Sequence, residues 1–539
     1  MTHSLLQLSK TYPWLKHIAI VGVIFAFALF VRVYLLSSIP AHLSWDEASI
    51  GYNAYSILET GKDETGKSFP LVFDAFGEQK LPGYIYLSVP FVKVFGLNEL
   101  SVRLPSAILG ALAVIPTYFI TFLLFQTPLV SSLASFFLAI SPWHIQFSRG
   151  AFEANVAFTF FLVSVCSLLL IGKYRRGRYL LAFLAAISFV VSIYTYNGFL
   201  LFLPLASIAF AAFFVFVRKI QVRVFLVFFL TFWILSLPLL IQSIQARGGP
   251  RFAHVAIVKR VVWEKEADLY PPLLQRREII VPILFLKNYL SHFSPQFLFT
   301  TGDSNPRHGT GSFGVLYLWE GVFALIGLLT LSKKRELLLL FVPWILLFPV
   351  AASLTKESPH ALRSIMLLPI PQILAAWGIQ SVEKLISWKK VASILLGILI
   401  GGTFLLFLYE YFVNYPVSSS RHWQYGYKDI VSTYVKKKES VDTMIVTTEY
   451  AQPYIFFLFY LQYNPGRFQS EVEFAPVEDW GVSKVASFDK LEFRHINYDE
   501  DKNLKNVILV GTPQEIPESV IAHNLYFLNG EAAFRMVKQ

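Results

Sequence analysis

Long apolar runs, separated by short polar or turn-forming links, dominate the first three quarters of the chain. A helix needs about 20 residues to cross a hydrocarbon core. About eleven runs approach this length, at residues 17–36, 103–125, 130–147, 155–172, 179–196, 198–217, 224–243, 314–332, 337–354, 363–382 and 391–412. The pattern therefore predicts an all-α polytopic membrane protein.

The composition supports a membrane protein and argues against a nucleic-acid-binding protein and against a protein built on disulfides or cysteine-bound metal. Of 539 residues, 55% are hydrophobic and 15% charged, and the mean hydropathy is +0.54, above the usual range of soluble proteins. The net charge of +11 could indicate nucleic-acid binding, but the basic residues lie largely in links between runs. A single cysteine, Cys166, excludes a disulfide framework and a cysteine-based metal site.

The positions of lysine and arginine predict the orientation. Basic links occur at residues 173–178, 218–223, 333–335 and 388–390, all on one side if the eleven runs span. Together with Lys10 and Lys16 they mark that side as cytoplasmic, and the expected location is the plasma membrane. The other side then receives residues 37–102, the link around Arg149, residues 244–313, residues 355–362 and the tail.

Two segments differ from the spans. Residues 81–95 are apolar but short and begin with Pro82 and Gly83, so we expect a helix along the membrane interface, since a crossing would turn every later basic link outward. Residues 413–539 mix charges with β-rich stretches at 443–447 and 506–510. We therefore predict a transmembrane domain at 1–412 and a small soluble α/β domain at 413–539.

Asp46 and Glu47 follow the first run and begin a short amphipathic helix on the outer side. The N–H groups at a helix N-terminus keep a carboxylate ionised, which makes it available as a base. Asp46 could equally serve only to cap the helix. The pattern leaves both roles open.

Cationic residues recur on the same side. Lys80, beside Pro82 and Gly83, could bind a phosphate as a point charge or extend toward lipid headgroups. Arg149 and Glu153, four residues apart at the mouth of two spans, could pair with each other or face the acidic loop.

Two later segments carry further polar groups. The turn-rich stretch 302–309 contains Asp303, Arg307 and His308. Arg363 follows His360 at the start of an apolar run, where arginine is costly unless it meets an anion or anchors the helix at the interface.

Four motifs in this order resemble the family-39 glycosyltransferases, which include bacterial relatives of the protein O-mannosyltransferases and the aminoarabinose transferases. They are Trp45-Asp46-Glu47, Lys80-Leu81-Pro82, Arg103-Leu104-Pro105-Ser106-Ala107 and Ser141-Pro142 through Arg149. The resemblance covers roughly residues 15–410. It implies the C-type glycosyltransferase fold, with interfacial helices beside the spans, and sugar transfer from an isoprenyl phosphate with inversion.

The resemblance also implies roles for the outer residues. Asp46 would take the proton of the acceptor hydroxyl and Glu47 would orient the site, while Lys80 and Arg149, with Arg363 and His360, would neutralise the donor phosphate. A second acidic or acceptor site would involve Glu153, Asp303, Arg307 and His308. Some C-type enzymes bind a divalent cation and protein mannosyltransferases do not require one, so the metal requirement stays open.

The leading hypothesis is an inverting glycosyltransferase that moves a sugar from a polyprenyl-phosphate donor to a hydroxyl of a protein, lipid or cell-envelope glycan. The tail does not match the β-trefoil insert of eukaryotic protein mannosyltransferases, which leaves the acceptor class open. One alternative is a transporter or flippase of lipid-linked saccharides, whose ionisable groups would lie in broken helices near the midplane. Another is a polymerase or ligase of such saccharides, which fits the outer loop 244–313. The acids after the first span favour the transferase.

Overall fold

The computed structural model describes residues 14–76, 78–174, 176–245, 256–385, 387–475, 484–520 and 522–539. The chain divides into two compact units. Among the described residues, the first unit contains residues up to 34, 106–245 and 256–408, and the second contains 35–105 and 409–539. Each unit is described by itself.

Within the described ranges, eight helices are long and apolar enough to cross a membrane. They are Leu15–Val33, Glu99–Phe125, Glu153–Ile171, Arg178–Thr195, Asn197–Val217, Val222–Gln242, Arg335–Ser353 and Lys389–Ser418. The pair Pro128–Ile140 and Pro142–Arg149, bent by 53°, makes nine if it counts as one span. The protein is a multi-pass membrane protein, as expected.

The count is lower than the eleven expected because two apolar runs form shorter helices. Leu318–Thr330 has 13 residues and Ile370–Glu383 has 14. In the second case a 3₁₀ segment, Leu362–Leu367, precedes the helix, and Pro369 separates the two. A proline disfavours the α conformation in the residue before it, which explains the break.

The predicted outer loop 244–313 contains two helices, Arg260–Ala267 and Arg277–Ser291. Its residues 246–255 lie outside the described part of the chain. A further short helix, Val350–Ser353, completes the longer run that starts at Arg335.

The two short apolar helices of the first unit pack closely through glycines. A Cβ atom added to Gly327 would collide with the carbonyl oxygen of Leu374, and one added to Gly378 would collide with that of Phe323. Small residues allow backbones of apolar helices to approach and gain dispersion contacts. The Leu318–Thr330 and Ile370–Glu383 helices are therefore fixed against each other at these two positions.

The second unit contains a two-stranded and a seven-stranded sheet. The strands are β1 (Phe73–Ala75), β2 (Glu78–Lys80), β3 (Thr443–Val446), β4 (Glu473–Phe474), β5 (Val485–Phe488), β6 (Leu491–Phe493), β7 (Val507–Gly511), β8 (His523–Tyr526) and β9 (Ala532–Lys538). The large sheet has the order β4-β5-β6-β3-β7-β9-β8, with β3 parallel to β6 and β7 and the other pairs antiparallel. The two predicted β-rich stretches form β3 and β7, and the small C-terminal sheet domain is confirmed.

Helices complete the second unit. They are Trp45–Thr60, Pro82–Phe95, Tyr415–Ser418, Tyr427–Lys437, Tyr454–Tyr460, Pro465–Glu471 and Tyr498–Asp501. We call Trp45–Thr60 the acidic helix. It packs against Tyr454–Tyr460, and Gly51 lies at the close approach, where an added Cβ atom would meet the Phe459 ring at 2.5 Å. The Pro82–Phe95 helix has 14 residues, about 21 Å at helical rise, and its interfacial orientation stays a prediction.

Candidate active site

The acidic helix begins with a capping box. The Ser44 hydroxyl accepts from the backbone N–H of Glu47 at 3.3 Å, and the Ser44 N–H donates to Glu47 Oε2 at 3.0 Å. This reciprocal pair satisfies two N–H groups that have no partner within the helix. The cap is therefore Ser44, and Asp46 does not fill the N-cap position.

Glu47 is held in place by a buried arginine. Arg103 Nε lies 2.9 Å from Glu47 Oε1 and Arg103 Nη2 lies 3.1 Å from Oε2, and the glutamate side chain is 3% exposed. The same guanidinium donates to the carbonyl oxygens of Leu36, Pro40 and His42. Arg103 therefore ties the segment before the acidic helix to the helix itself.

Asp46 makes a different contact. Its Oδ1 lies 2.7 Å from Lys80 Nζ, and the aspartate side chain is 31% exposed while that of Lys80 is 7% exposed. Lys80 ends β2, and its ammonium lies 5.1 Å from the centre of the Phe76 ring. The two neighbouring acids thus differ: Asp46 reaches solvent beside an ammonium group, and Glu47 is enclosed.

His42 lies in the segment that Arg103 organises. Its Nδ1 lies 2.9 Å from the Leu43 carbonyl oxygen, and its Nε2 lies 3.1 Å from the Tyr460 hydroxyl. Burial lowers the pKa of His42 to about 4, so the ring is neutral near neutral pH. A neutral ring that donates from Nδ1 and accepts at Nε2 fits both contacts.

A third carboxyl group of the second unit, Glu64, is also buried. Its oxygens accept from Asn53 Nδ2 at 2.9 Å and from the Tyr454 hydroxyl at 2.9 Å. Burial raises the pKa of Glu64 to about 7, against the opposing effect of these hydrogen bonds and of Lys80. The group changes protonation state near neutral pH.

In the first unit, Arg149 ends the Pro142–Arg149 helix and is fully buried. Its Nη1 donates to the carbonyl oxygens of Val31 and Arg32 at 2.8 and 3.1 Å, at the end of the Trp14–Val33 helix. Helix C-termini attract cations because their carbonyl groups carry partial negative charge. Glu153 begins the next helix, Glu153–Ile171.

The turn at 302–309 and the 355–363 segment meet in the first unit. Asp303 Oδ2 lies 3.0 Å from His308 Nδ1 and 3.8 Å from His360 Nδ1. Arg307 contributes its carbonyl oxygen to Gln146 Nε2 at 2.7 Å. His360, which the resemblance groups with the phosphate-binding residues, lies beside Asp303 and His308.

Arg363, the last predicted phosphate contact, lies near a glutamate. Its Nη1 donates to the Thr355 hydroxyl at 2.9 Å, and its Nη2 lies 3.6 Å from Glu357 Oε2. The structure therefore brings together Asp46, Glu47 and Lys80 in one unit and Asp303, His308 and His360 in the other.

Sequence reasoning missed Arg103 and Glu64 as site residues. Arg103 carries the same signal as Arg363, an arginine near the start of an apolar run, and that signal could have identified it. Glu64 lies in a polar stretch with other acids, and no local pattern marks it as buried.

Comparison with protein families adds an independent finding. Residues 22–246, which include Asp46, Lys80 and Arg149, match the family described as dolichyl-phosphate-mannose-protein mannosyltransferase. This segment is therefore similar to that family. Comparison with curated protein sequences gives no match.

Two solved structures share the fold. The oligosaccharyltransferase AglB from Archaeoglobus fulgidus, in complex with an inhibitory peptide and a dolichol-phosphate, matches with a TM-score of 0.52 and 13% identity, over 94% of this chain and 70% of AglB. ArnT from Cupriavidus metallidurans, bound to undecaprenyl phosphate, matches with a TM-score of 0.50 and 13% identity, over 96% of this chain and 97% of ArnT. The chain therefore has the C-type glycosyltransferase fold, as expected, and its residues 22–246 match a mannosyltransferase family.

Proposed function

We propose that the protein transfers a sugar, with inversion, from a polyprenyl-phosphate donor to a hydroxyl acceptor. The contact between Asp46 and Lys80, inside the segment that matches this family, carries this proposal. Two further observations support the donor class: the family is named for a dolichyl-phosphate sugar, and the AglB and ArnT structures hold dolichol-phosphate and undecaprenyl phosphate.

Asp46 is the proposed general base. Its carboxylate is partly exposed at the first turn of a rigidly capped helix, so an acceptor hydroxyl can approach it. As the acceptor oxygen attacks the anomeric carbon, Asp46 takes its proton and the bond from that carbon to the phosphate oxygen breaks. Attack from the face opposite the leaving phosphate inverts the anomeric configuration.

Lys80 is the proposed partner of the leaving phosphate. Its ammonium is almost enclosed, and a positive charge in a poorly solvated place stabilises developing negative charge more than it would in water. The 2.7 Å contact places this charge beside Asp46. The group that takes the acceptor's proton and the group that contacts the leaving phosphate are therefore neighbours.

Glu47 is a positioning residue in this account. Both of its oxygens contact Arg103 and one also accepts from the Ser44 N–H, so it holds the first turn of the acidic helix rather than meeting the substrate. We keep Arg149 and Arg363 as proposed phosphate contacts and Glu153 and Arg307 as a proposed acceptor site.

Topology is part of the proposal. The basic links at 173–178, 218–223, 333–335 and 388–390 support a cytoplasmic side, with residues 37–102 and the domain at 413–539 on the outer face of the plasma membrane. The acceptor would then be a hydroxyl of a protein, lipid or cell-envelope glycan.

The test uses the full chain in sealed liposomes with a polyprenyl-phosphate sugar and a mixture of hydroxyl acceptors. We expect release of free polyprenyl phosphate in step with formation of a new glycoside. Movement of intact lipid-linked sugar between leaflets, without any release of lipid phosphate, would contradict the proposal and favour a transporter.

A further inference from the structure

We propose that Asp303, His308 and His360 bind a divalent transition-metal ion of the Zn²⁺ type. The three residues are buried in the first unit, and one potential ligand atom from each lies within 4.8 Å of the others. Two of them come from the 302–309 turn and the third from the segment before Leu362, so the site joins two separate stretches of chain.

The distances suit tetrahedral coordination. Zinc bonds to imidazole nitrogen and carboxylate oxygen are about 2.0–2.2 Å, which separates neighbouring ligand atoms by roughly 3.4 Å. Asp303 Oδ2 lies 3.0 Å from His308 Nδ1 and 3.8 Å from His360 Nδ1, on either side of that value. Small side-chain movements would therefore place an ion between the three atoms.

His360 can offer the same nitrogen to an ion. The backbone N–H of Arg363 donates to His360 Nδ1 at 3.4 Å, a long contact that an ion bound at this nitrogen would replace. The same atom lies 3.8 Å from Asp303 Oδ2, so one ion can contact both.

Neighbouring groups orient the carboxylate. The backbone N–H of Ala361 donates to Asp303 Oδ2 at 2.7 Å, and that of Asn305 donates to Oδ1 at 2.9 Å. Hydrogen bonds of this kind fix metal ligands and raise metal affinity. Two imidazoles and one carboxylate are ligands that suit zinc, and three protein ligands leave a fourth position for water or substrate.

The ion would fasten the two stretches to the Pro142–Arg149 helix. Trp143 Nε1 donates to the carbonyl oxygen of Ala361 at 3.0 Å, and Gln146 Nε2 donates to that of Arg307 at 2.7 Å. Both stretches also carry arginines, Arg307 and Arg363. Metal binding would therefore restrict the positions of two cationic side chains.

The first experiment measures metal content. The full chain, purified with an affinity tag free of histidine, is treated with a chelator, incubated with limiting Zn²⁺ and analysed by mass spectrometry. We expect about one ion per chain for the wild type. His308→Gln and Asp303→Asn should lose most of it, whereas His523→Gln, at an exposed strand position, should keep it. Equal zinc content in wild type and His308→Gln would overturn the proposal.

A second measurement needs no variant. Co²⁺ added to the chelator-treated wild type should give the intense visible absorption of tetrahedral coordination, and Zn²⁺ should displace it. Only the weak spectrum of octahedral aqueous Co²⁺ would overturn the proposal. The Asp46→Asn chain should bind Co²⁺ like the wild type, so the metal site is tested independently of the proposed reaction.

Discussion

Arg103 and Glu47 form a buried ion pair in which two guanidinium nitrogens lie 2.9 and 3.1 Å from the two carboxylate oxygens. Removing one partner of a buried pair leaves an uncompensated charge and costs about 3–5 kcal/mol. We expect Arg103→Ala to lower the unfolding temperature in detergent strongly. Glu47→Gln should also lower it, because it leaves the buried Arg103 charge uncompensated although glutamine preserves the capping box.

The exposed pair of Arg467 and Glu471 provides the matched control. Arg467 Nε lies 3.0 Å from Glu471 Oε2, and the arginine side chain is 56% exposed. Arg467→Ala should leave the unfolding temperature unchanged, since exposed pairs contribute little. An Arg103→Ala chain that unfolds at the wild-type temperature would contradict the structural role assigned to this pair.

The raised pKa of Glu64 predicts that the stability of the folded chain depends on pH. Because burial raises its pKa to about 7 in the folded chain, the native state holds this proton over a range where the unfolded state has lost it. The contribution of Glu64 to stability should therefore be largest below about pH 4.5 and fall as the pH rises through about 7. The unfolding temperature, measured as a function of pH, should fall less steeply between about pH 4.5 and 7 in Glu64→Gln than in the wild type. Glu59→Gln, which changes an exposed glutamate, should keep the wild-type slope. Identical slopes for the wild type and Glu64→Gln would argue against the assignment.

The glycine contact in the first unit predicts a packing defect. Gly327→Ala and Gly378→Ala would each place a methyl group against a backbone carbonyl, and we expect both to lower the unfolding temperature. Gly397→Ala is the control, because open space surrounds that position in the Lys389–Tyr409 helix. It should be neutral or slightly stabilising, since alanine is the better helix former. A tolerated Gly327→Ala would show that the two helices are not packed at this distance.

The proposed contact of Lys80 with the donor phosphate predicts that its loss weakens donor binding. Loss of a charge-assisted contact to phosphate costs about 1.5–3 kcal/mol, so Lys80→Ala should weaken donor binding by about 10- to 100-fold. Lys67 pairs with Asp74 at an exposed position of the same unit, and Lys67→Ala should bind donor like the wild type. Steady-state titration of the polyprenyl-phosphate sugar measures both. Unchanged donor affinity in Lys80→Ala would move the phosphate contact elsewhere.

The helical architecture could be predicted because each span carries its own signal, a long run of apolar residues. Each of the eleven predicted runs contains helical structure, although Leu318–Thr330 and Ile370–Glu383 are shorter than expected. The strands at 443–446 and 507–511 carry a comparable local signal.

The contacts at the candidate site carry no such local signal. Arg103 and Glu47 are 56 residues apart, and Asp303 and His360 are brought together by tertiary packing alone. Sequence pattern indicated Asp46 and Lys80 separately, but not their contact. It also treated Asp46 and Glu47 as one pair, whereas burial separates them into a partly exposed and an enclosed acid.

Asp46 is the proposed general base of the transfer reaction. The decisive measurement compares lipid-phosphate release by the wild type, Asp46→Asn and Asp74→Asn, the last being an aspartate that also pairs with a lysine. We predict that Asp46→Asn lowers the rate by about 10²–10⁴-fold with an unchanged unfolding temperature, and that Asp74→Asn keeps the wild-type rate. Turnover of Asp46→Asn at the wild-type rate would contradict the account.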